Sequence, residues 1–159
     1  MFNFFKKNQG LKKGDHAPEF LLLDQDGVLR SLKDFLEKPL VIYFYPKDDT
    51  PGCTKEACMI RDAYNDFEAK GVTVVGISHD DPAVHRAFRE KYELPFTLLS
   101  DPEKITIRTY GAHGSLFTKR ISYLIGTDGV ILQVYPEVDP ASHAGELLND
   151  LTSYGFTHS

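Results

Sequence analysis

The sequence predicts an α/β protein, a central mixed β-sheet flanked by helices in a three-layer sandwich. Three observations carry this. Short apolar, β-branched or aromatic runs recur at Leu40–Tyr45, Val72–Ile77, Phe96–Leu99, Ile121–Ile125 and Val130–Tyr135, each of strand length. Helical patterns fill the first two intervals, which implies right-handed crossovers and a parallel central stretch of sheet. Asp128-Gly129, between the last two runs, is a hairpin-turn signal and adds an antiparallel pair.

The elements follow in order. Ser31–Leu36, with Asp34 three residues after Ser31, reads as a capped turn of helix. The run at Leu40–Tyr45 leads into Pro46-Lys47-Asp48-Asp49-Thr50-Pro51-Gly52-Cys53. Thr50 suits an N-cap and Pro51 the first helical position. Ala57, Ile60, Tyr64 and Phe67 then form an apolar stripe at helical spacing. Asp81-Pro82 caps a stretch carrying Val84, Ala87, Phe88 and Tyr92, and Asp101-Pro102 opens a shorter one. Ser142–Tyr154 closes the chain, with Leu147, Leu148 and Leu151 on one side. No internal repeat or linker interrupts this pattern, so 1–159 is expected to be a single domain with an N-terminal arm over 1–13.

Composition narrows the function. A net charge of −5 without a basic stripe argues against nucleic acid and for small molecules or proteins as partners. The start, Met1-Phe2-Asn3-Phe4-Phe5-Lys6-Lys7, lacks the apolar core of a signal peptide. No run approaches bilayer-spanning length. A cytoplasmic protein with no membrane partner is expected. The Phe2, Phe4, Phe5 cluster and Lys6, Lys7, Lys12 and Lys13 read as a frayed or self-packed arm, since a contact with a membrane surface is the rarer use of such a segment.

Two cysteines cannot make a disulfide scaffold; their placement matters more. Cys53 falls in the first helical turn, where unpaired N–H groups and the positive end of the helix dipole favour a thiolate. Cys53 is therefore expected to be nucleophilic. Cys58 lies roughly 140° further round the helix, in line with Asp62 and Asn65 on the wetter face. In a regular helix, Cα atoms five residues apart are about 8.6 Å apart, beyond the roughly 7 Å that a disulfide can bridge. A bond between these two thiols requires the helix to unwind.

Tyr45-Pro46, Thr50-Pro51-Gly52-Cys53 and Lys55-Glu56-Ala57-Cys58 closely resemble the active-site segment of the atypical two-cysteine peroxiredoxins of the bacterioferritin comigratory protein, or peroxiredoxin Q, type. The resemblance extends to Asp15-His16-Ala17-Pro18-Glu19-Phe20, to Phe88–Asp101 and to Arg120-Ile121-Ser122-Tyr123-Leu124-Ile125. It implies a thioredoxin-like fold and a thiol peroxidase acting on hydrogen peroxide and organic hydroperoxides, with no cofactor. Cys53 would be the peroxidatic thiol and Cys58 the resolving one, with roles for Pro46, Thr50 and Arg120. The intramolecular disulfide would be recycled by thioredoxin or a similar dithiol, in a monomer or weak homodimer. Two departures stand out: Ala112–Lys119 is shorter than the family's usual stretch, and Gly126 stands where an aspartate is common.

Three other readings use the same thiols. A structural zinc site could draw on Cys53, Cys58, His79 and His85, although two cysteines 140° apart on a helix cannot face one metal. His79 then reads as a loop residue and His85 as a surface helix residue. A thioredoxin-type disulfide oxidoreductase would ordinarily carry Cys-x-x-Cys, and a non-catalytic redox sensor would share every thiol feature. Asp48-Asp49 and Asp80-Asp81 read as exposed turn carboxylates.

Overall fold

The computed structural model describes residues 10–156; Phe2, Phe4, Phe5, Lys6 and Lys7 of the N-terminal arm lie outside the described residues. The strands are β1 (Leu21–Asp24), β2 (Leu29–Ser31), β3 (Leu40–Phe44), β4 (Thr73–Ser78), β5 (Thr97–Ser100), β6 (Ile121–Ile125) and β7 (Ile131–Tyr135). The helices are α1 (Pro51–Asp62), α2 (Tyr64–Ala69), α3 (Pro82–Lys91), α4 (Ile105–Thr109) and α5 (His143–Ser153), with a 3₁₀ turn over Leu32–Phe35. Among the described residues no helix is long and apolar enough to cross a membrane.

All seven strands form one mixed sheet in the order β2-β1-β5-β4-β3-β6-β7. The centre is parallel, as the strand-helix-strand order requires: β3 pairs with β4 and β4 with β5. Strand β6 returns antiparallel to β3, and β7 follows through the expected hairpin, whose Gly129 adopts φ 82°. A glycine at 126 suits this turn, because a Cβ there would lie 3.0 Å from the Asp128 carboxylate.

The sequence pattern misses the β1–β2 hairpin. Its strands are only four and three residues long, and Leu21-Leu22-Leu23 shows no alternation. The turn has its own chemistry: the Asp24 carboxylate accepts from the Asp26 and Val28 N–H groups, and Gly27 takes φ 75°.

Both faces of the sheet are covered by apolar clusters. On one, Leu32 and Phe35 of the 3₁₀ turn and Ile107 of α4 pack against β3 residues Leu40, Ile42 and Phe44. On the other, Ala57 and Ile60 of α1, Phe67 of α2, Phe88 of α3, and Leu147 and Leu151 of α5 pack against Val41 and Tyr43. The stripe read as one helix crosses a break at Ala63 (φ −99°, ψ 6°), where α1 ends and α2 begins. Helix α3 starts where its cap demands, with Asp81 accepting from Val84 N–H at 3.0 Å, whereas Ser142, the N-cap residue of α5, makes no side-chain cap bond. Asp101 ties down the shorter helix α4 from farther upstream, through the Ile105 and Ile107 N–H groups.

Candidate active site

Strand β3 carries the chain to the site. Tyr43 and Tyr45 point to the same face, their rings stacked at 5.3 Å, and Pro46 is half-buried where the strand gives way to a loop. The loop ends at Thr50, the N-cap residue, and Pro51 occupies the first helical position. The first helical hydrogen bond runs from Thr54 N–H to Thr50 C=O at 2.8 Å. The N–H groups of Gly52 and Cys53 therefore have no acceptor within the helix. Thr50 holds the expected position but not the expected side-chain bond: its hydroxyl donates to Lys47 C=O at 2.7 Å. That bond folds the loop back on itself and leaves the helix mouth uncapped.

Cys53 is buried, 1% exposed. Strand pairing brings its neighbour from far along the chain: Ile121 sits opposite Phe44, so Arg120 emerges beside the end of β3. One guanidinium nitrogen of Arg120 lies 3.2 Å from Cys53 Sγ and another 3.1 Å from Glu56 Oε1. Gly52 makes this approach possible, since a Cβ there would lie 2.5 Å from Arg120 Nη2. Cys58 is a free, half-buried thiol farther along the unbroken α1.

Glu56 is the site residue that the sequence reading missed. It lies three residues after Cys53, so both side chains share a face of α1; that spacing is the signal that could have found it. Glu56 is only 1% exposed, and its Oε2 has no hydrogen-bond partner. Burial raises its pKa to about 7 against the opposing pull of Arg120, because a single ion pair cannot replace the lost hydration of both oxygens. The buried Tyr43 hydroxyl is likewise unpartnered, and burial, followed by the charge of Glu56, holds the phenol well above its ordinary range.

Two surface expectations are overturned. His85 is fully buried rather than on the helix surface, and Asp48 and Asp80 are buried rather than exposed turn carboxylates. The helix carrying His85 lies against the sheet, where polar partners from β4, β5 and the loop satisfy the imidazole and the two acids. His79 does follow β4 in a bend, as expected. Cys53, Cys58, His79 and His85 are not gathered as a metal set. Among the described residues, the one group of potential ligands within 4.8 Å is Asp48, Asp80 and His85, and both His85 ring nitrogens are already engaged, by Asp48 and by Leu99 C=O.

Residues 13–134 match the AhpC/TSA family. The chain belongs to that family. Peroxiredoxin Q of Oryza sativa subsp. japonica, a chloroplastic protein, is 46% identical over 147 residues, which span 90% of this chain and 68% of the rice protein. The peroxiredoxin bcp of Coxiella burnetii is 42% identical over 149 residues, 89% of this chain and 99% of that one. Among solved structures, the peroxidoxin BcpB of Mycobacterium tuberculosis superposes with a TM-score of 0.84 at 36% identity, covering 90% of this chain and 97% of that one. The resemblance to peroxiredoxin Q and bcp proteins, and the thioredoxin-like peroxiredoxin fold it implied, are thereby borne out.

The geometry makes two predictions. Gly52→Ala is expected to keep stability within about 1 kcal/mol, because the clashing atom is the end of a flexible side chain. It is expected to displace Arg120 and, in a Cys58→Ser background, to slow Cys53 alkylation by iodoacetamide about tenfold. Equal alkylation rates would show that the contact does not govern the thiol. The second prediction concerns pH. With its pKa raised from 4.5 to about 7, Glu56 contributes stability that is fully present below about 4.5 and lost as pH rises through about 7. The loss is on the order of 3 kcal/mol. Glu56→Gln, which keeps an acceptor for Arg120, is expected to flatten this slope in denaturant titrations across that range; superimposable pH profiles would contradict it.

Proposed function

We propose that this chain is a thiol peroxidase in which Cys53 reduces the peroxide, Cys58 resolves the oxidised thiol, and a dithiol protein of thioredoxin type restores both. The observation that carries the reading is the Arg120 guanidinium, 3.2 Å from a buried cysteine sulfur at an uncapped helix N-terminus. The peroxiredoxin names of the relatives support the same reading.

Cys53 attacks as the thiolate. Its sulfur bonds to one peroxide oxygen, the O–O bond breaks, and the other oxygen leaves as hydroxide or alkoxide that takes up a proton. Charge thus moves from sulfur to the leaving oxygen. Donors fixed beforehand along that path lower the barrier. Arg120 remains charged throughout, and the free N–H groups of Gly52 and Cys53 point from the same helix mouth. Glu56 anchors the far side of the guanidinium. Pro46 shields the sulfur from bulk water. Thr50, with its hydrogen given to Lys47 C=O, offers oxygen lone pairs and so accepts the hydrogen of a hydroperoxide.

The product is a Cys53 sulfenic acid. Attack by the Cys58 thiolate on its sulfur forms the disulfide and releases the oxygen as water. Both cysteines lie within the intact α1, so the bond requires the first turns of the helix to open. An external dithiol then attacks the disulfide, passes through a mixed disulfide and leaves oxidised, with both cysteines reduced.

Peroxide-dependent oxidation of a thioredoxin and thioredoxin reductase system tests the cycle. Cys53→Ser is expected to abolish turnover; Cys58→Ser is expected to keep one rapid oxidation of Cys53 and lose turnover. Normal thioredoxin-linked turnover in Cys58→Ser would remove Cys58 as the resolver. The required opening has its own readout in amide hydrogen exchange: protection between Gly52 and Cys58 is expected to fall in the oxidised protein. Equal protection in the two redox states, with the intramolecular disulfide confirmed by mass spectrometry, would rule out helix opening.

A further inference from the structure

A buried polar network that the chemistry above does not use sits directly upstream of Cys53. His85 on α3 is fully buried, and its Nε2 lies 2.9 Å from Leu99 C=O. A carbonyl can only accept, so Nε2 carries hydrogen. The other ring nitrogen lies 2.5 Å from Asp48 Oδ2, and one proton is therefore held between them whichever group formally owns it. The second Asp48 oxygen accepts from the Tyr45 hydroxyl at 2.5 Å. The Asp48 backbone N–H donates to Asp80 at 2.9 Å, and Ser78 Oγ donates to the same Asp80 oxygen at 2.6 Å.

The next residue is gripped from the same helix. Asp49 adopts φ 58°, and its carboxylate accepts from Lys91 Nζ at 2.8 Å and Tyr92 Oη at 2.7 Å. The Tyr92 carbonyl in turn accepts from Arg61 of α1 at 2.8 Å. Helix α3 and its cap residue thus hold the 46–50 loop at two points and α1 at a third. Cys53 lies between those grips. Two buried long-range bonds hold this loop at Asp48, one from its side chain to His85 and one from its backbone N–H to Asp80.

We propose that His85, acting through Asp48, is a positioning residue for the peroxide reaction: the pair fixes the loop that sets where α1 begins, and so the register of Cys53 against Arg120. The inference rests on the reading of Cys53 as the peroxide-reacting thiol. It makes a selective demand. Loosening the loop slows attack on peroxide, which needs the first turn of α1 in place, and does not slow disulfide formation, which needs that turn open.

The test separates the two steps by rapid mixing of reduced protein with hydrogen peroxide, following sulfenic acid formation and then disulfide closure. Asp48→Ala is expected to slow the first step about tenfold or more, the scale of effect that a small misplacement produces, without slowing the second. Asp48→Asn is expected to restore the first step to within about threefold, since it keeps the shape and hydrogen-bonding reach of the side chain toward both His85 and Tyr45. Wild-type rates in Asp48→Ala, no rescue by Asn, or equal slowing of both steps would each overturn the inference. Should Asp48→Ala fail to fold, Asp48→Ala combined with His85→Leu carries the test, because removing both partners leaves no buried charge unpaired. It is expected to slow peroxide attack and raise hydrogen exchange over 46–52; no change in either overturns the proposal. If the wild-type chain does not react with peroxide at Cys53, the parent reading falls and this one with it. If the wild type reacts and the variants match it, only the positioning role falls.

Discussion

The arrangement around Cys53 depends on one guanidinium with two partners. Arg120 reaches the cysteine sulfur with one nitrogen and the Glu56 carboxylate with another, and all three groups are largely out of water. Each requirement of that contact appears elsewhere in the fold. The β3–β6 pairing delivers Arg120 to the end of β3. The loop before α1 sets the helix start so that Cys53 falls in its first turn. Gly52 leaves the space through which the guanidinium passes. The charge that would be costly to bury alone is tolerated because it is shared, and the incomplete sharing shows in the unpartnered second oxygen of Glu56.

In the proposed chemistry, the same helix that activates the thiol keeps it from its partner. An intact α1 supplies the unpaired N–H groups and dipole at Cys53, and it also holds Cys58 beyond disulfide reach. In the proposed cycle these are successive demands on one segment, rigid for peroxide attack and open for resolution. The distribution of fixed contacts suits this. The loop upstream of Cys53 is tied to α3 through buried bonds, whereas α1 beyond Cys53 ends after only three turns at Ala63.

Much of this was legible in the residues themselves. Strand runs with alternating helical patterns gave the parallel centre of the sheet, and Asp128-Gly129 gave the β6–β7 hairpin. Thr50-Pro51 located the helix start and hence Cys53. Arg120 could be tied to Cys53 only through the family pattern, because a contact between residues 67 apart leaves no local trace. The β1–β2 hairpin escaped because three or four residues are too few for periodicity to register. Glu56, Asp48, Asp80 and His85 escaped for a different reason. Charged and polar residues are read as exposed by default, and their burial follows from tertiary hydrogen bonds that sequence spacing does not encode.

The most direct measurement is the second-order rate constant for oxidation of Cys53 by hydrogen peroxide at neutral pH, in a Cys58→Ser background, with arginine, alanine and lysine at position 120. If the shared guanidinium governs the chemistry, alanine lowers the rate by about 10²-fold and leaves the fold intact. Lysine, which keeps the charge but not the planar fork, recovers only part of the loss. A rate for Arg120→Ala equal to that of the parent would contradict the role of Arg120 on which the proposed chemistry rests.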